Sequence, residues 1–154
     1  MAANERFMPV PPVAVWDVLA DPESYAFWVV GSKRIRDADP AWPAPGSRFH
    51  HSVGIGPLHV NDHTESLEAQ PPWLLRLRAY ARPLGTARVT MEMTPQGGGT
   101  LVRMTEDPDG LSAVLALNPL VHLFTKVRNA ESLLRLEVLA LRAICARTPS
   151  SSGG

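Results

Sequence analysis

The feature that most constrains the fold is the placement of helical segments at opposite ends of the chain. Residues 11–28 contain two short helices that meet at Asp21 and Pro22, since Asp21 is a good N-cap and proline is favoured at the first helical position. A long helix is predicted from Asn118 and Pro119 to about Arg147. The segment between them has strand patterns, so these helices have one sheet to cover. A long helix across a curved sheet leaves a hollow, which predicts a small-molecule pocket.

The strand patterns predict an antiparallel meander with one solvated face. Early strands are predicted over residues 5–10, 29–39, 47–53 and 58–68. The clearest alternation runs from Leu75 to Ala81, where every second residue is apolar, and it resumes from Ala87 to Met93 and again at Val102 and Met104. The intervening side chains are Arg, Glu, Thr and Tyr, which is typical of a sheet with one face in water.

Composition excludes several classes of function. The 154 residues carry fifteen basic and fifteen acidic side chains, so no net charge attracts nucleic acid. We expect one domain over residues 1–147 and a disordered tail over residues 148–154. No segment is long and apolar enough to cross a bilayer and no secretory signal pattern is present, so we expect a cytoplasmic protein without stable membrane insertion. The single cysteine, Cys145, lies in an apolar helical run and is predicted to be buried and inert.

The long terminal helix has an apolar stripe that we expect to face the sheet. The stripe comprises Leu120, Phe124, Val127, Leu134, Val138, Leu141 and Cys145. Further leucines make the apolar sector wider than one contact with a sheet requires. The excess width predicts a pocket wall, a contact with the N-terminal helices, or a homodimer contact, and the sequence leaves these three open.

The order of elements is that of the helix-grip fold, and particular residues strengthen the likeness. The segment Pro12 to Tyr25, Pro-Val-Ala-Val-Trp-Asp-Val-Leu-Ala-Asp-Pro-Glu-Ser-Tyr, resembles the opening motif of the SRPBCC superfamily, which includes polyketide cyclase/dehydrases and START-type lipid-transfer domains. Glu68 to Pro72 resembles its strand-turn-strand junction, and Gly98 to Val102 resembles its last hairpin. The resemblance covers nearly the whole chain through Arg147. It implies an α+β fold in which a curved antiparallel sheet wraps around the terminal helix and encloses a cavity, but it supplies no shared catalytic set.

Four histidines on two consecutive predicted strands raise the question of a metal site. They are His50, His51, His59 and His63. Neighbouring residues of a strand face opposite sides, so His50 and His51 cannot converge, and at most three imidazoles share a face. Catalytic zinc normally needs three well-placed ligands and an open position. We therefore expect no metal and no other cofactor, with His51 directed inward if Phe49 is.

Three residues are candidates for acid-base chemistry. A cyclase or dehydratase must remove a proton beside a carbonyl and stabilise the resulting enolate, and His51, Asp62 and Glu106 have suitable side chains. The alternative for Asp62 is a strand-surface residue, and for Glu106 an acid that caps the turn at residues 107–110.

The leading hypothesis is a domain that binds a hydrophobic small molecule, whether lipid-like, polyketide or aromatic. The side chains expected to line the pocket are Trp28, Phe49, Leu77, Met91, Met93, Met104, Phe124 and Arg128. His51 or Arg128 would fix the polar end of the ligand. Two alternatives remain: a polyketide cyclase, aromatase or dehydratase that uses His51 with a carboxylate, and a homodimeric interaction module.

Overall fold

The computed structural model describes residues 2–55, 57–81, 85–110, 113–114 and 117–147. The strands are β1 (Ala2–Met8), β2 (Ser32–Ala38), β3 (Arg48–Ile55), β4 (Leu58–Gln70), β5 (Leu74–Ala81), β6 (Gly85–Gln96) and β7 (Gly99–Asp109). The helices are α1 (Pro12–Leu19), a 3₁₀ turn (Pro22–Ser24), α2 (Tyr25–Trp28) and α3 (Pro119–Arg147). The tail predicted over residues 148–154 lies outside the described residues.

Within the described part of the chain, seven strands form one antiparallel sheet in the order β1-β7-β6-β5-β4-β3-β2. Each strand after β2 pairs with the strand before it in the sequence, and the last strand, β7, also pairs with the first, β1. Helix α3 lies against one face of this sheet, where it contacts β1, α1 and α2. The predicted α+β order of elements, a strand, two short helices, a six-strand meander and a long helix, is confirmed.

The first strand begins and ends earlier than predicted. It spans Ala2–Met8 rather than residues 5–10, and its register with β7 runs from Ala2 opposite Glu106 to Met8 opposite Thr100. Pro9 follows directly and has no backbone N–H for the ladder. Proline therefore ends the strand two residues before the Pro11-Pro12 pair on which the prediction depended.

The predicted helix starts are confirmed by their caps. The Asp21 carboxylate accepts a hydrogen bond from the Glu23 backbone N–H at 3.1 Å. The Asn118 side-chain oxygen accepts one from the Leu120 backbone N–H at 2.9 Å, and α3 begins at Pro119 as expected. Each cap satisfies a donor that a helix start leaves unpaired.

A packed core occupies one half of the space between sheet and helices. The alternating residues of the central strands, Leu75, Leu77, Met91, Met93, Val102 and Met104, are buried on the predicted inner face. On the helix side of this core, α1 contributes Val15 and Leu19, and the second half of α3 contributes Leu133 and Leu136. Leu75 lies opposite Met91, and Met91 opposite Met104, in the strand register.

Helix α3 is rotated relative to the prediction. Leu120, Phe124 and Val127 are 75%, 60% and 61% exposed, and Leu134 and Val138 are each 39% exposed. The buried positions are Asn129, Ser132, Leu133, Leu136 and Ala140. The expectation that the apolar stripe faces the sheet was wrong for the five exposed residues, whereas Leu141 is partly buried against the core. The expectation of a buried Cys145 was wrong for the same reason, because that thiol is exposed at the end of the stripe.

Polar bonds explain how α3 buries a partly polar face. The Glu106 carboxylate accepts from the Asn129 amide, and the Ser132 hydroxyl accepts from the Val30 backbone N–H at 3.1 Å. On the edge strand, the Asn4 amide donates to the Lys126 carbonyl at 3.0 Å, and Arg6 pairs with Glu137. Satisfied polar groups cost little to bury, so these bonds determine which face turns inward.

Candidate functional site

A cavity of about 390 Å³ lies beneath the first half of α3, beside the packed core. Its volume falls within the range of roughly 300–1,000 Å³ that is typical of ligand pockets. The sheet supplies Phe49, His51, Thr64, Leu77, Ala79, Ala87, Val89, Met104 and Glu106 to the wall. The helices and their connections supply Tyr25, Trp28, Val29, Val30, Val121, His122, Phe124, Thr125, Arg128, Asn129 and Ser132.

One side of the cavity is an aromatic wall. The ring of Tyr25 lies 4.9 Å from that of Trp28 and 4.7 Å from that of Phe49, and the Phe49 ring lies 5.7 Å from the His51 imidazole. The Tyr25 hydroxyl donates to the Leu19 carbonyl at 2.8 Å, and burial raises the pKa of this phenol far above its usual value. The wall therefore presents ring faces and edges of the kind that bind a flat apolar molecule.

The His51 imidazole is held in this wall by a neighbouring strand. His51 is 6% exposed, and its Nε2 lies 2.9 Å from the Thr64 hydroxyl of β4, whereas Nδ1 is buried without a hydrogen-bond partner. Burial lowers the pKa of His51, opposed by the backbone of His63 and the charge of Asp62. The imidazole is therefore neutral at neutral pH, and the direction of the Thr64 bond determines which nitrogen carries the proton.

A polar clamp joins the sheet to α3 at the cavity wall. Oε2 of Glu106, on β7, accepts from the Arg128 guanidinium at 2.5 Å and from the Asn129 amide at 2.8 Å. Both helical residues also line the cavity. One carboxylate oxygen of Glu106 therefore accepts from two donors. The charge of Glu106 is paired with that of Arg128, so this carboxylate is not a free acid in the cavity wall.

The first half of α3 turns polar side chains toward the cavity. These residues are His122, Thr125, Asn129 and Ser132, which follow one another at helical spacing and all line the cavity. Asn129 and Ser132 are 1% and 2% exposed. A molecule in the cavity therefore meets a mostly apolar sheet on one side and a polar helix face on the other.

The structure brings most of the predicted site residues together. Those that line the cavity are Trp28, Phe49, His51, Leu77, Met104, Glu106, Phe124 and Arg128. Phe124 is 60% exposed, so it lies at the rim. Met91 and Met93 are buried in the packed core instead, because they lie further along β6, beneath α1 and the second half of α3.

Asp62 is buried beside the cavity without lining it. It lies directly opposite His51 in the register of β3 and β4, and 4% of it is exposed. Its Oδ1 accepts from the His63 backbone N–H at 3.0 Å and lies 3.3 Å from the His63 Nδ1. The alternative of a strand-surface residue was wrong, because Asp62 shares the inner face with His51 and Thr64.

Sequence reasoning missed the polar contribution of α3 and the roles of Tyr25 and Thr64. Asn129 and Ser132 belong to a polar run at helical spacing, which is a signal in the sequence. It was outweighed because a surface helix usually buries its apolar stripe. A polar inner face is stable here because Glu106 and the Val30 backbone provide partners.

The described histidines of β3 and β4 are divided between the two faces of the sheet, and the His50 and His63 rings lie 5.9 Å apart on the outer face. His50 is exposed on the outer face, where the His63 ring stacks on Tyr80 at 4.3 Å, while His51 points inward. The side chain of His59 lies outside the described residues. Among the side chains that the structure describes, no group of three or more His, Cys, Asp or Glu is arranged to hold a metal ion. The same part of the chain has no helix suited to crossing a membrane.

Comparison with known proteins agrees with this architecture. A sequence profile described as "Polyketide cyclase / dehydrase and lipid transport" matches residues 2–139. The chain belongs to this family. The predicted likeness to the SRPBCC superfamily is thereby confirmed. A search of curated proteins found no match.

Solved structures with a similar fold align with nearly the whole chain. Protein NE0264 from Nitrosomonas europaea has 18% identity and a TM-score of 0.69, with coverage of 92% of this chain and 94% of that one. Ara h 8.0201 has 13% identity and a TM-score of 0.71, with coverage of 91% and 96%. The di-domain ARO/CYC StfQ from the steffimycin biosynthetic pathway has 10% identity and a TM-score of 0.71, with coverage of 93% of this chain and 51% of that one. At these identities the likeness establishes the helix-grip fold alone.

Proposed function

We propose that this protein binds a hydrophobic small molecule, lipid-like, polyketide or aromatic, in the cavity beneath α3. The observation that carries the proposal is a cavity of about 390 Å³ whose sheet side is walled mostly by apolar and aromatic side chains. Apolar walls favour an apolar guest, because its transfer from water is driven by the hydrophobic effect. Membership of a family described by polyketide cyclisation and lipid transport supports the same class of ligand.

A ligand screen with a cavity-filling variant tests this proposal. Native mass spectrometry and thermal shift would be measured with fatty acids, sterols, flavonoids and polyketide mimics. Ala87→Phe places a phenyl ring in the cavity wall, whereas Ala44→Phe adds the same ring at an exposed position. We expect ligands to stabilise the wild type and Ala44→Phe but not Ala87→Phe. The absence of any bound ligand, or equal binding by all three proteins, would overturn the proposal.

A second proposal is proton transfer at a ligand carbonyl, with His51 as the base. His51 is favoured because its Nδ1 is the unpartnered nitrogen of a neutral imidazole in the cavity wall. Of the predicted partners, Glu106 is held by Arg128 and Asn129, and Asp62 does not line the cavity. In this reaction His51 removes the proton beside the carbonyl to form an enolate and then returns a proton to the same carbon.

Isotope exchange tests the second proposal without knowledge of the natural substrate. In deuterated water, NMR would follow loss of the protons beside the carbonyl of 2-tetralone. We expect wild-type protein to accelerate exchange above the buffer rate, and His51→Gln to remove the acceleration. Exchange at the buffer rate in the wild type, despite saturation with 2-tetralone, would exclude this chemistry for ring ketones of this size.

The homodimer also stays a proposal, and the exposed stripe of α3 is the observation that favours it. Leu120, Phe124, Val127, Leu134 and Val138 follow alternating spacings of three and four residues, with Glu131 at the one intervening position. That spacing is typical of the contact stripe, or seam, between two paired helices. In a symmetric dimer, this seam of one α3 would pack against the same seam of the other copy. Glu131 is paired with Arg135 at 3.1 Å, so the seam carries no isolated charge.

Light scattering and sedimentation of two charge variants test the pairing. Val127→Glu alters the seam, and Val13→Glu alters an equally apolar, 49% exposed position on α1. We expect a dimer for the wild type and Val13→Glu and a monomer for Val127→Glu. A wild-type protein that remains monomeric at high concentration would exclude the homodimer.

A further inference from the structure

Two unpartnered polar atoms belong to residues of the cavity wall. Among the described residues, three buried side-chain nitrogen or oxygen atoms lack a hydrogen-bond partner: Asn4 Oδ1, Trp28 Nε1 and His51 Nδ1. Trp28 and His51 line the cavity, and Trp28 is 1% exposed. The two residues stand at the ends of one chain of ring contacts through Tyr25 and Phe49. Buried polar groups are nearly always satisfied in native proteins, so a bound molecule is the natural partner for both.

The described wall has no net formal charge to offer that molecule. Its charged side chains are Glu106 and Arg128, which are bonded to each other. Burial lowers the pKa of His51, so its imidazole is neutral at neutral pH. His122, which is partly exposed, is the remaining imidazole in the wall. A ligand carboxylate would lose its hydration without gaining an unpaired cation in the buried part of the cavity, which is unfavourable.

We propose that the cavity selects uncharged ring compounds bearing an oxygen, such as phenols and cyclic ketones, over carboxylates and pure hydrocarbons, with Trp28 and His51 as the selecting residues. This inference rests on the proposed binding function. The indole N–H is only a donor, so it requires an acceptor oxygen from the ligand. The His51 nitrogen donates or accepts according to tautomer, and a hydroxyl or carbonyl group can satisfy it. The ring itself is held by Tyr25 and Phe49.

Three ligands of one shape test the selection in the wild-type protein. Titration calorimetry near neutral pH would compare 2-naphthol, naphthalene and 2-naphthoate. We expect 2-naphthol to bind about tenfold or more tightly than either of the others, since one well-placed hydrogen bond in a buried site has an effect of that order. Equal binding of naphthalene or 2-naphthoate would overturn the selection while leaving the hydrophobic cavity intact. If none of the three binds, the inference fails, and the wider ligand screen decides the proposed function separately.

Matched variants assign the selection to its residues. Trp28→Phe and His51→Leu remove the two polar groups, whereas Trp42→Phe removes an indole that donates to the Leu19 carbonyl at 3.2 Å and does not line the cavity. We expect the preference for 2-naphthol over naphthalene to fall several-fold in the first two variants and to persist in Trp42→Phe. An unchanged preference in all three would overturn the assignment.

A spectroscopic measurement covers the case in which a variant does not fold. In wild-type protein labelled with ¹⁵N, the Trp28 indole resonance reports directly on its hydrogen bond. We expect 2-naphthol to shift the indole proton resonance downfield. We expect naphthalene to cause no such downfield shift. The same response to both ligands would contradict a hydrogen bond to the ligand oxygen.

Discussion

At the scale of single residues, His51 gains its properties from burial. It is 6% exposed and bonded to Thr64 on the neighbouring strand, whereas His50, the next residue toward the N-terminus, is exposed on the outer face. Strand geometry separates the two imidazoles, and burial lowers the pKa of the inner one. The same environment that suits His51 to contact a ligand therefore makes the fold sensitive to acid.

The lowered pKa of His51 predicts how stability depends on pH. Below the ordinary value of 6.5, the unfolded chain binds a proton at this residue that the native protein does not bind. The free energy of unfolding should therefore fall as the pH falls from 6.5 toward the native-state pKa, by at most about 1.4 kcal/mol per pH unit. Above 6.5 this contribution is constant.

Urea denaturation of the wild type and His51→Gln across this pH range measures the effect. Glutamine does not titrate, so the variant should lose less stability on acidification, and the difference between the two proteins isolates His51 from the carboxylates. The same pH dependence in both proteins would contradict a neutral buried imidazole.

The Glu106–Arg128 pair predicts a measurable coupling between sheet and helix. The two side chains are 12% and 32% exposed, so water screens the pair only in part. A double-mutant cycle with Glu106→Gln and Arg128→Met should give a coupling energy of about 1–2 kcal/mol. The exposed Arg76–Glu68 pair is the control, for which we expect less than about 1 kcal/mol. Equal coupling in both pairs would mean that burial adds nothing at the clamp.

At the scale of elements, α3 is oriented by polar bonds as well as by burial of apolar area. Asn129 and Ser132 find partners on β7 and after α2, while Leu120, Phe124 and Val127 remain in solvent. The first half of the helix thus faces a cavity with its polar side, and the second half completes the core with Leu133, Leu136 and Ala140. One helix serves two different environments along its length.

This rotation predicts effects of very different size for two nearby leucines. Leu136 is fully buried, so Leu136→Ala should lower the free energy of unfolding by about 2–5 kcal/mol through lost contacts and a new cavity. Leu134 is 39% exposed, and Leu134→Ala should lower the free energy of unfolding of the monomer by less than about 1 kcal/mol. Chemical denaturation checks both values. A larger loss of stability for Leu134→Ala than for Leu136→Ala would contradict the observed orientation of α3 and support the one expected from the apolar stripe.

At the scale of the whole molecule, the interior is divided into a packed half and a hollow half. Leu75 and Met91 are fully buried beneath α1 and the end of α3, while Ala79 and Ala87 of the same two strands line the cavity. Regions with fewer apolar contacts open at lower free energy than the core. The hollow half is therefore the part of the described structure whose stability a bound ligand should change most.

Hydrogen exchange should detect this division. Without ligand, we expect the backbone amides around Ala79 and Ala87 to exchange faster than those around Leu75 and Met91. A bound ligand should slow the first group more than the second, in proportion to its concentration over its dissociation constant. Comparison within β5 and β6 gives each strand its own control. Uniform exchange along both strands, with no response to a bound ligand, would contradict a hollow half.

The sequence alone determined the order of elements, the capped helix starts and the inner faces of the central strands. These depend on local rules. Asp21 and Asn118 cap their helices, and in the strands that contain Leu75 and Met91 every second residue is apolar, so only one face of each strand can be buried. The same period of two tied the direction of His51 to that of Phe49, and the structure shows both residues buried. Local signals of this kind need no knowledge of the neighbouring elements.

Tertiary structure alone decided which face of α3 turns inward and where the interior stays hollow. The helix has an apolar stripe and a polar stripe, and local patterning favours burial of the first. The choice depends on partners distant in sequence, namely Glu106 for Arg128 and Asn129, and the Val30 backbone for Ser132. The same long-range packing places Met91 and Met93 in the core and leaves Trp28 and His51 facing a cavity. Satisfying buried polar groups is a property of the assembled fold, and no single segment of sequence contains it.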